Sequence, residues 1–268
     1  MKILINYADE KYKRTQKFNS WTGKHIGKLD KVYSFGPEDI DKEFYNKNKH
    51  ILDIKRGNGL WLWKPYFILK VMEECEEGDI VFYCDSGAFF IRNINALIET
   101  IDCEKKIWVS DIPLLEVCFT KPSCFQIMNC VTDNYKYTNQ IQATFFMTIN
   151  CKDTRDFVKK WLTLCCDYNL LSPEEGKHKK GNSRRNFVSH REDQSILSLL
   201  CKKEGIVAHL DPTQRGKYPE WYKKDEYEFL EPHHTDNYSP ILFLHKTPDV
   251  NILSSIKQYL ICLKLKYK

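Results

Sequence analysis

Four groups of residues in this 268-residue chain have the types and spacing to do chemistry. The apolar run 80–84 (IVFYC) stops abruptly at Asp85-Ser86-Gly87. A continuous apolar run reads as a strand buried on both faces, and in open α/β sheets ligands bind beyond the carboxyl ends of strands. A carboxylate placed there can hold a divalent cation that bridges a diphosphate; Asp-Ser-Gly is equally ordinary turn chemistry. Asp193-Gln194 opens a second candidate helix, just after His190 and Arg191. An Asp at that position can simply cap the helix and favour its dipole, but a cation beside a carboxylate often marks an anion site. The segment 56–64 (RGNGLWLWK) joins two glycines, which permit close backbone approach to a ligand, to Trp61 and Trp63, whose rings can stack on a base or sugar. Its bland alternative is a loop whose tryptophans anchor the helix that follows. His245 follows a late apolar run; a lone histidine is more often structural, yet with Asp85 it would complete a hard-metal site. His233-His234 is a weaker rival pair in a Pro-rich loop.

Several elements must position these groups. Residues 2–7 (KILINY) read as a buried strand, followed by a Lys-rich helix through Thr22 and a second strand over 31–35, stopped by Gly36-Pro37. This strand–helix–strand start is the pattern of a parallel sheet. A polar stretch, 38–55, leads into Arg56-Gly57-Asn58-Gly59, which reads as a flexible loop. Pro65 suits a first helical turn, and Phe67, Ile68, Val71 and Met72 recur at helical spacing until Gly78-Asp79. Further strands are expected at 107–109, 141–149 and 241–245. An amphipathic helix is expected over 153–168, with Phe157, Val158, Trp161, Leu162 and Cys165 on one side. Residues 172–189 read as a basic loop, 191–206 as a helix with an acidic start and a Gly205 exit, and 252–268 as a basic amphipathic tail.

Composition excludes several classes. Hydrophobic residues at 42% and charged residues at 29% argue against wholesale disorder. A formal charge of +5 suits anionic small ligands and is no strong nucleic-acid signal. No apolar run reaches the roughly 18–20 residues that span a bilayer, and the start MKILINYADEKYK turns polar too soon for a signal peptide. Eleven cysteines, an odd number without a CxxC pair, predict reduced and mostly buried thiols in a cytoplasmic compartment. The basic tail offers a peripheral contact with anionic lipid or, equally, a packed terminal helix. The run 177–185 reads as a solvated loop, a lid or a contact for an acidic acceptor.

Two blocks, RGNGLWLWKPYFILKVMEECEEGDIVFYCDSG and SHREDQSILSLL, together with His245-Lys246, resemble nucleotide-sugar glycosyltransferases of the GT-A type. The likeness is to capsule-type transferases of bacteria and large DNA viruses, with some similarity to glycosyltransferase family 8. The first block looks like "RGxGxWxWKP…GDxxxYxDxG", the second like "HRxDQSxLSLL", and His245-Lys246 like a shortened terminal basic His motif; the likeness spans about residues 2–246. It implies an α/β, Rossmann-like GT-A domain over 1–250, with a mixed, mostly parallel central sheet flanked by helices and a separate basic segment at 251–268. It also implies that Tyr7 and Ala8 lie where the nucleotide base docks and that Asp85 takes the first place of a DxD-like motif. Gly87 stands where the second Asp would be, so one carboxylate of the usual pair is missing. By family likeness, His245 is the candidate to complete a manganese (or magnesium) site with Asp85.

The implied donor is a nucleotide diphosphate sugar, uridine-linked, and the implied acceptor a glycan or glycolipid; nucleic acid is not an expected partner. Breaking the donor bond creates an oxocarbenium-like centre and an anionic leaving group, whose charge a cation or a Lys/Arg clamp must stabilise. Arg56, Lys64, Ser86, Trp63, His190 and Arg191 join Tyr7, Ala8 and Asp85 as the expected donor contacts. Asp193 is the expected base if the enzyme inverts, whereas the likeness of DQSILS to "DQxxLN" would place Asp193 and Gln194 beneath the donor sugar if it retains. Stereochemistry, and hexosyl against pentosyl transfer, stay open. Gly87 keeps a second class open, a carbohydrate-binding or scaffold module with a degenerate transferase fold.

Overall fold

The computed structural model describes residues 1–173, 186–216, 230, 234–251, 253, 254, 256, 257 and 260. The basic run 177–185, His233 and most of the tail 251–268 lie outside the described residues.

Nine strands are described: β1 (Lys2–Tyr7), β2 (Lys31–Phe35), β3 (Ile80–Cys84), β4 (Ala88–Phe90), β5 (Ile107–Trp108), β6 (Asp111–Leu115), β7 (Asn139–Ile141), β8 (Phe145–Ile149) and β9 (Leu242–Leu244). Five form the central sheet in the order β2-β1-β3-β8-β5. β1 pairs in parallel with β2 and β3, while β8 runs antiparallel to both β3 and β5. Four of the five strands therefore point one way, as the mostly parallel expectation required. Two small sheets, β4-β9 and β6-β7, flank it.

The alternation of side chains along β3 divides two apolar layers. Val81 and Tyr83 join Ile3, Ile5 and Phe146 on one face; Phe82 and Cys84 join Leu4, Phe145 and Met147 on the other. This is why β3 reads as an unbroken apolar run rather than an alternating one.

The longer helices are α1 (Lys13–His25), α2 (Lys42–Leu52), α3 (Trp63–Glu74), α4 (Lys152–Cys165) and α5 (Glu192–Lys203). α3 is buried over almost its whole length, including Phe67 and Ile68 at 1% and 0% exposure, because it lies between the sheet and α4. A side chain such as Phe67 so placed contributes about 1.5–3 kcal/mol. α5 buries Ser195 through Cys201 without interruption, so its first turn is held rigidly against the core.

Several expectations shift. The single strand over 141–149 is two strands, β7 and β8, broken at residues 142–144. The break frees two carbonyls: Ala143 accepts from Lys64 Nζ at 2.9 Å, and Thr144 accepts from Asp85 N at 3.0 Å. The polar stretch 38–55 contains α2, whose apolar contribution is confined to a few positions and which kinks at Asn48 (φ −113°). β4 and β6 were not expected; each is short and paired with a strand distant in sequence. Ten cysteines are described, none in a disulfide, and seven of them are buried. No helix among the described residues is long and apolar enough to cross a membrane.

Candidate active site

Ile5 pairs with Tyr83, so Tyr7 and Asp85 leave the sheet level with one another. Ser86 Oγ ties the two strand ends together by donating to the Tyr7 carbonyl at 2.6 Å. Beyond them opens a cavity of about 710 Å³, within the range of small-molecule sites. It collects residues from the ends of β1, β3 and β9, the break before β8, the segment 55–64 and the first turn of α5.

The floor is electrostatic. Lys64, 3% exposed, lies between two carboxyls, 3.4 Å from Asp85 Oδ1 and 3.3 Å from Asp193 Oδ2. Burial opposes its charge, but Asp193 and then Asp85 outweigh that and hold its pKa above the ordinary lysine value. Asp85 also accepts from Tyr83 Oη at 2.5 Å. Asp193 is buried, and beyond the Lys64 ion pair its Oδ2 has no hydrogen-bond partner. Burial pushes its carboxyl up to about 7, the proximity of Lys64 only partly offsetting the lost solvation. A carboxyl that exchanges its proton near neutrality, facing a cavity, suits general acid–base work. Its backbone is fixed because its carbonyl accepts from Trp161 Nε1 at 3.2 Å. Gln194 is equally fixed, donating to Gln140 Oε1 at 2.7 Å and accepting from Ala143 N at 3.3 Å.

The side wall is built differently. Residues 57–61 take positive φ in succession: Gly57 59°, Asn58 53°, Gly59 92°, Leu60 53° and Trp61 59°. This is one turn of left-handed helix, a conformation that costs roughly 1–2 kcal/mol per residue for side chains other than Gly and Asn. At Gly57 a Cβ would fall 2.2 Å from the Trp61 ring, so only glycine fits. The turn is pinned at three places. Trp63 Nε1 donates to the Gly57 carbonyl at 3.0 Å, Asn58 Nδ2 donates to Tyr7 Oη, and Arg56 Nε pairs with Glu192 Oε1 at 2.6 Å. Trp63 stacks on Tyr7 with ring centroids 3.7 Å apart. Glu192, at the other end of the Arg56 pair, is itself left-handed (φ 40°). Strain of this kind persists where surrounding contacts over-determine it, and it clusters at functional sites.

Tyr7, Ala8, Arg56, Trp63, Lys64, Asp85, Ser86, Arg191, Asp193 and Gln194 therefore all line one cavity. His190 and His245 do not. His190, 1% exposed, accepts from Lys121 N at Nδ1 (3.3 Å) and meets the Leu170 carbonyl through Nε2 (2.9 Å), the work of a core histidine. His245 turns Nδ1 to the Thr247 hydroxyl, packs its ring against Phe89 and buries Nε2 without a partner. The next residue, Lys246, takes the cavity wall instead. Tyr83, Asn58, Glu192 and Lys246 are lining residues that the motifs did not single out for the site, although Lys246 stood beside His245 in the sequence.

The expected cation site of Asp85 and His245 is not assembled in the cavity, since Asp85 lines it and His245 does not. Among the described residues no three of His, Cys, Asp and Glu converge as a metal-ligand group. Asp85 is engaged by Lys64 and Tyr83. At the place of the missing carboxylate, a Cβ on Gly87 would already touch the Lys246 backbone, 3.4 Å from Cα and 3.6 Å from N.

No protein-family model and no curated protein matches the chain. Among solved structures it is similar to the galactosyltransferase LgtC in complex with donor and acceptor sugar analogues, with a TM-score of 0.53 and 14% identity over 98% of this chain and 95% of that one. It is also similar to mouse xyloside xylosyltransferase 1 in its apo form, with a TM-score of 0.50 and 8% identity over 91% and 97% of the two chains. At such identities the likeness concerns the fold: this chain has the mixed α/β, GT-A architecture of those transferases.

Proposed function

We propose that the chain is a glycosyltransferase that moves a sugar from a nucleotide diphosphate donor, uridine-linked, to a glycan or glycolipid acceptor. The observation that carries this is the buried pair of Lys64 and Asp193, with Asp193 at about 7, on the floor of a cavity at the carboxyl ends of β1 and β3. In transfer, the bond from the anomeric carbon to the diphosphate breaks with its electron pair on the diphosphate oxygen. The acceptor hydroxyl bonds to that carbon and gives up its proton. If the product anomer is inverted, Asp193 is the base that takes the proton. If it is retained, the departing diphosphate oxygen takes the proton, and Asp193 and Gln194 contact the donor sugar. Lys64 holds Asp85 and Asp193 in place and keeps two carboxyls tolerable in a buried floor. The left-handed turn and the Tyr7–Trp63 stack supply an aromatic wall for the base.

A thermal-shift panel of nucleotide sugars, read beside product formation with glycan acceptors, tests this, since a ligand that binds only the folded state raises its stability by mass action. Uridine-linked donors are expected to stabilise the protein most. Stabilisation by guanosine or cytidine nucleotides alone would remove the uridine assignment. Saturable donor binding without turnover on any acceptor would favour the degenerate, sugar-binding reading that Gly87 supports.

A further inference from the structure

We infer that the diphosphate of the donor is neutralised by the chain's own cations, with the ammonium of Lys246 in the place of a divalent ion, so that nucleotide binding needs no metal. The inference rests on the donor reading above and departs from the metal site that the sequence led us to expect.

Two observations carry it. The first is geometric. The carbonyl of Gly87 accepts from both His245 N (2.9 Å) and Lys246 N (3.1 Å), and this clamp sets Lys246 in a left-handed conformation, φ 58°. The backbone of Lys246 thereby faces the point from which a second carboxylate would grow, and Lys246 is an exposed residue of the cavity lining. The second is the imbalance of charge along the walls. Lys64 is committed to Asp85 and Asp193, and Arg56 to Glu192. Lys246 has no ion-pair partner among the described residues, and Lys11 and Lys55 line the cavity beside a single further acid, Asp9. Ammonium and guanidinium groups do what a metal does for a leaving diphosphate, namely stabilise its developing charge, and lysine acts as a compact point charge suited to phosphate oxygens.

Isothermal titration of the full chain with uridine diphosphate and with inorganic pyrophosphate tests this, each in excess chelator and each in millimolar manganese. Affinities in the two buffers are expected to agree within about threefold, a difference near 0.6 kcal/mol. Lys246→Asn keeps a residue that tolerates the left-handed backbone. It is expected to weaken both ligands by about 10–100-fold in chelator, the range for losing a charged hydrogen bond. Gly87→Asp is the second variant. Its carboxylate should pair with Lys246, weaken binding in chelator in the same way, and make manganese restore it. Binding that appears only with manganese, or Lys246→Asn binding as the native chain does in chelator, overturns the inference while leaving the donor reading intact. Failure of uridine diphosphate and pyrophosphate to bind in either buffer overturns both.

Discussion

The floor and the side wall of the cavity reach rigidity by opposite means. The floor draws Lys64, Asp85 and Asp193 from three distant parts of the chain and holds them by charge. The wall is one short segment, 57–61, bent into a left-handed turn and held by neighbours it meets at its edges. Charge makes the floor sensitive to the loss of Lys64, which both carboxyls face. Backbone strain makes the wall sensitive to residue shape. The floor can move protons, and the wall can only present surfaces.

The largest expected break is Lys64→Met. It leaves the buried Asp193 carboxyl and the half-buried Asp85 carboxyl facing each other and the Ala143 carbonyl without its donor, so urea unfolding should show a loss of about 3 kcal/mol or more. A loss under 1 kcal/mol would mean that water reaches the floor. Asp193→Asn comes next. Turnover should fall at least about a hundredfold, as removal of a proton-transferring group does, while the melting temperature holds or rises, because a costly buried acid has been removed. Near-native turnover would take Asp193 out of the chemistry.

On the wall, Gly57→Ala should cost about 1–3 kcal/mol, the scale of forced backbone strain, since its Cβ collides with the Trp61 ring. Trp61→Gly, at a left-handed position, should change stability by no more than about 1 kcal/mol and yet weaken uridine nucleotide binding in calorimetry. Unaltered binding would deny the ring a place in the site.

The pH response separates the two regions further. The folded carboxyl of Asp193 titrates near 7, against an ordinary aspartate value of 3.8. Folding therefore favours its protonated form. The stability it contributes is complete below about 4 and is lost as pH rises through 7, with a slope of at most about 1.4 kcal/mol per pH unit. Unfolding free energies measured from pH 4 to 8 should lose this component in Asp193→Asn and keep it in Trp61→Gly.

Much of this was legible in the sequence for a physical reason. β3 is buried on both faces, and burial leaves uninterrupted apolar letters; Asp85 stands out because it ends such a run. The first turn of α5 was legible because Asp193 and Gln194 interrupt a helix that is otherwise apolar or small on all faces. The left-handed turn was not: two glycines signalled freedom, and the structure uses them for a fixed conformation that also captures Leu60 and Trp61. Lys64 was expected as a donor clamp, and the cavity does include it; that it is committed to Asp85 and Asp193 was not legible, because those partners lie elsewhere in the chain. His190 gained from its place beside Arg191, yet neighbours in sequence on an extended segment point to opposite sides. β4 and β6 escaped because short strands carry little pattern until their partner is known.

The sealed thiols have a use beyond packing. Burial raises the Cys84 thiol on one face of the sheet and Cys165 and Cys201 on the other. An alkylating reagent needs thiolate and access together, so these positions acquire label only when the molecule opens. Among the described cysteines, Cys103 is exposed and should react at once, giving an internal clock start. Pulse-labelling read by mass then reports whether the two apolar layers open as one unit: joint appearance of label at Cys84 and Cys201 indicates a single cooperative event, and staggered appearance reveals which layer lets go first.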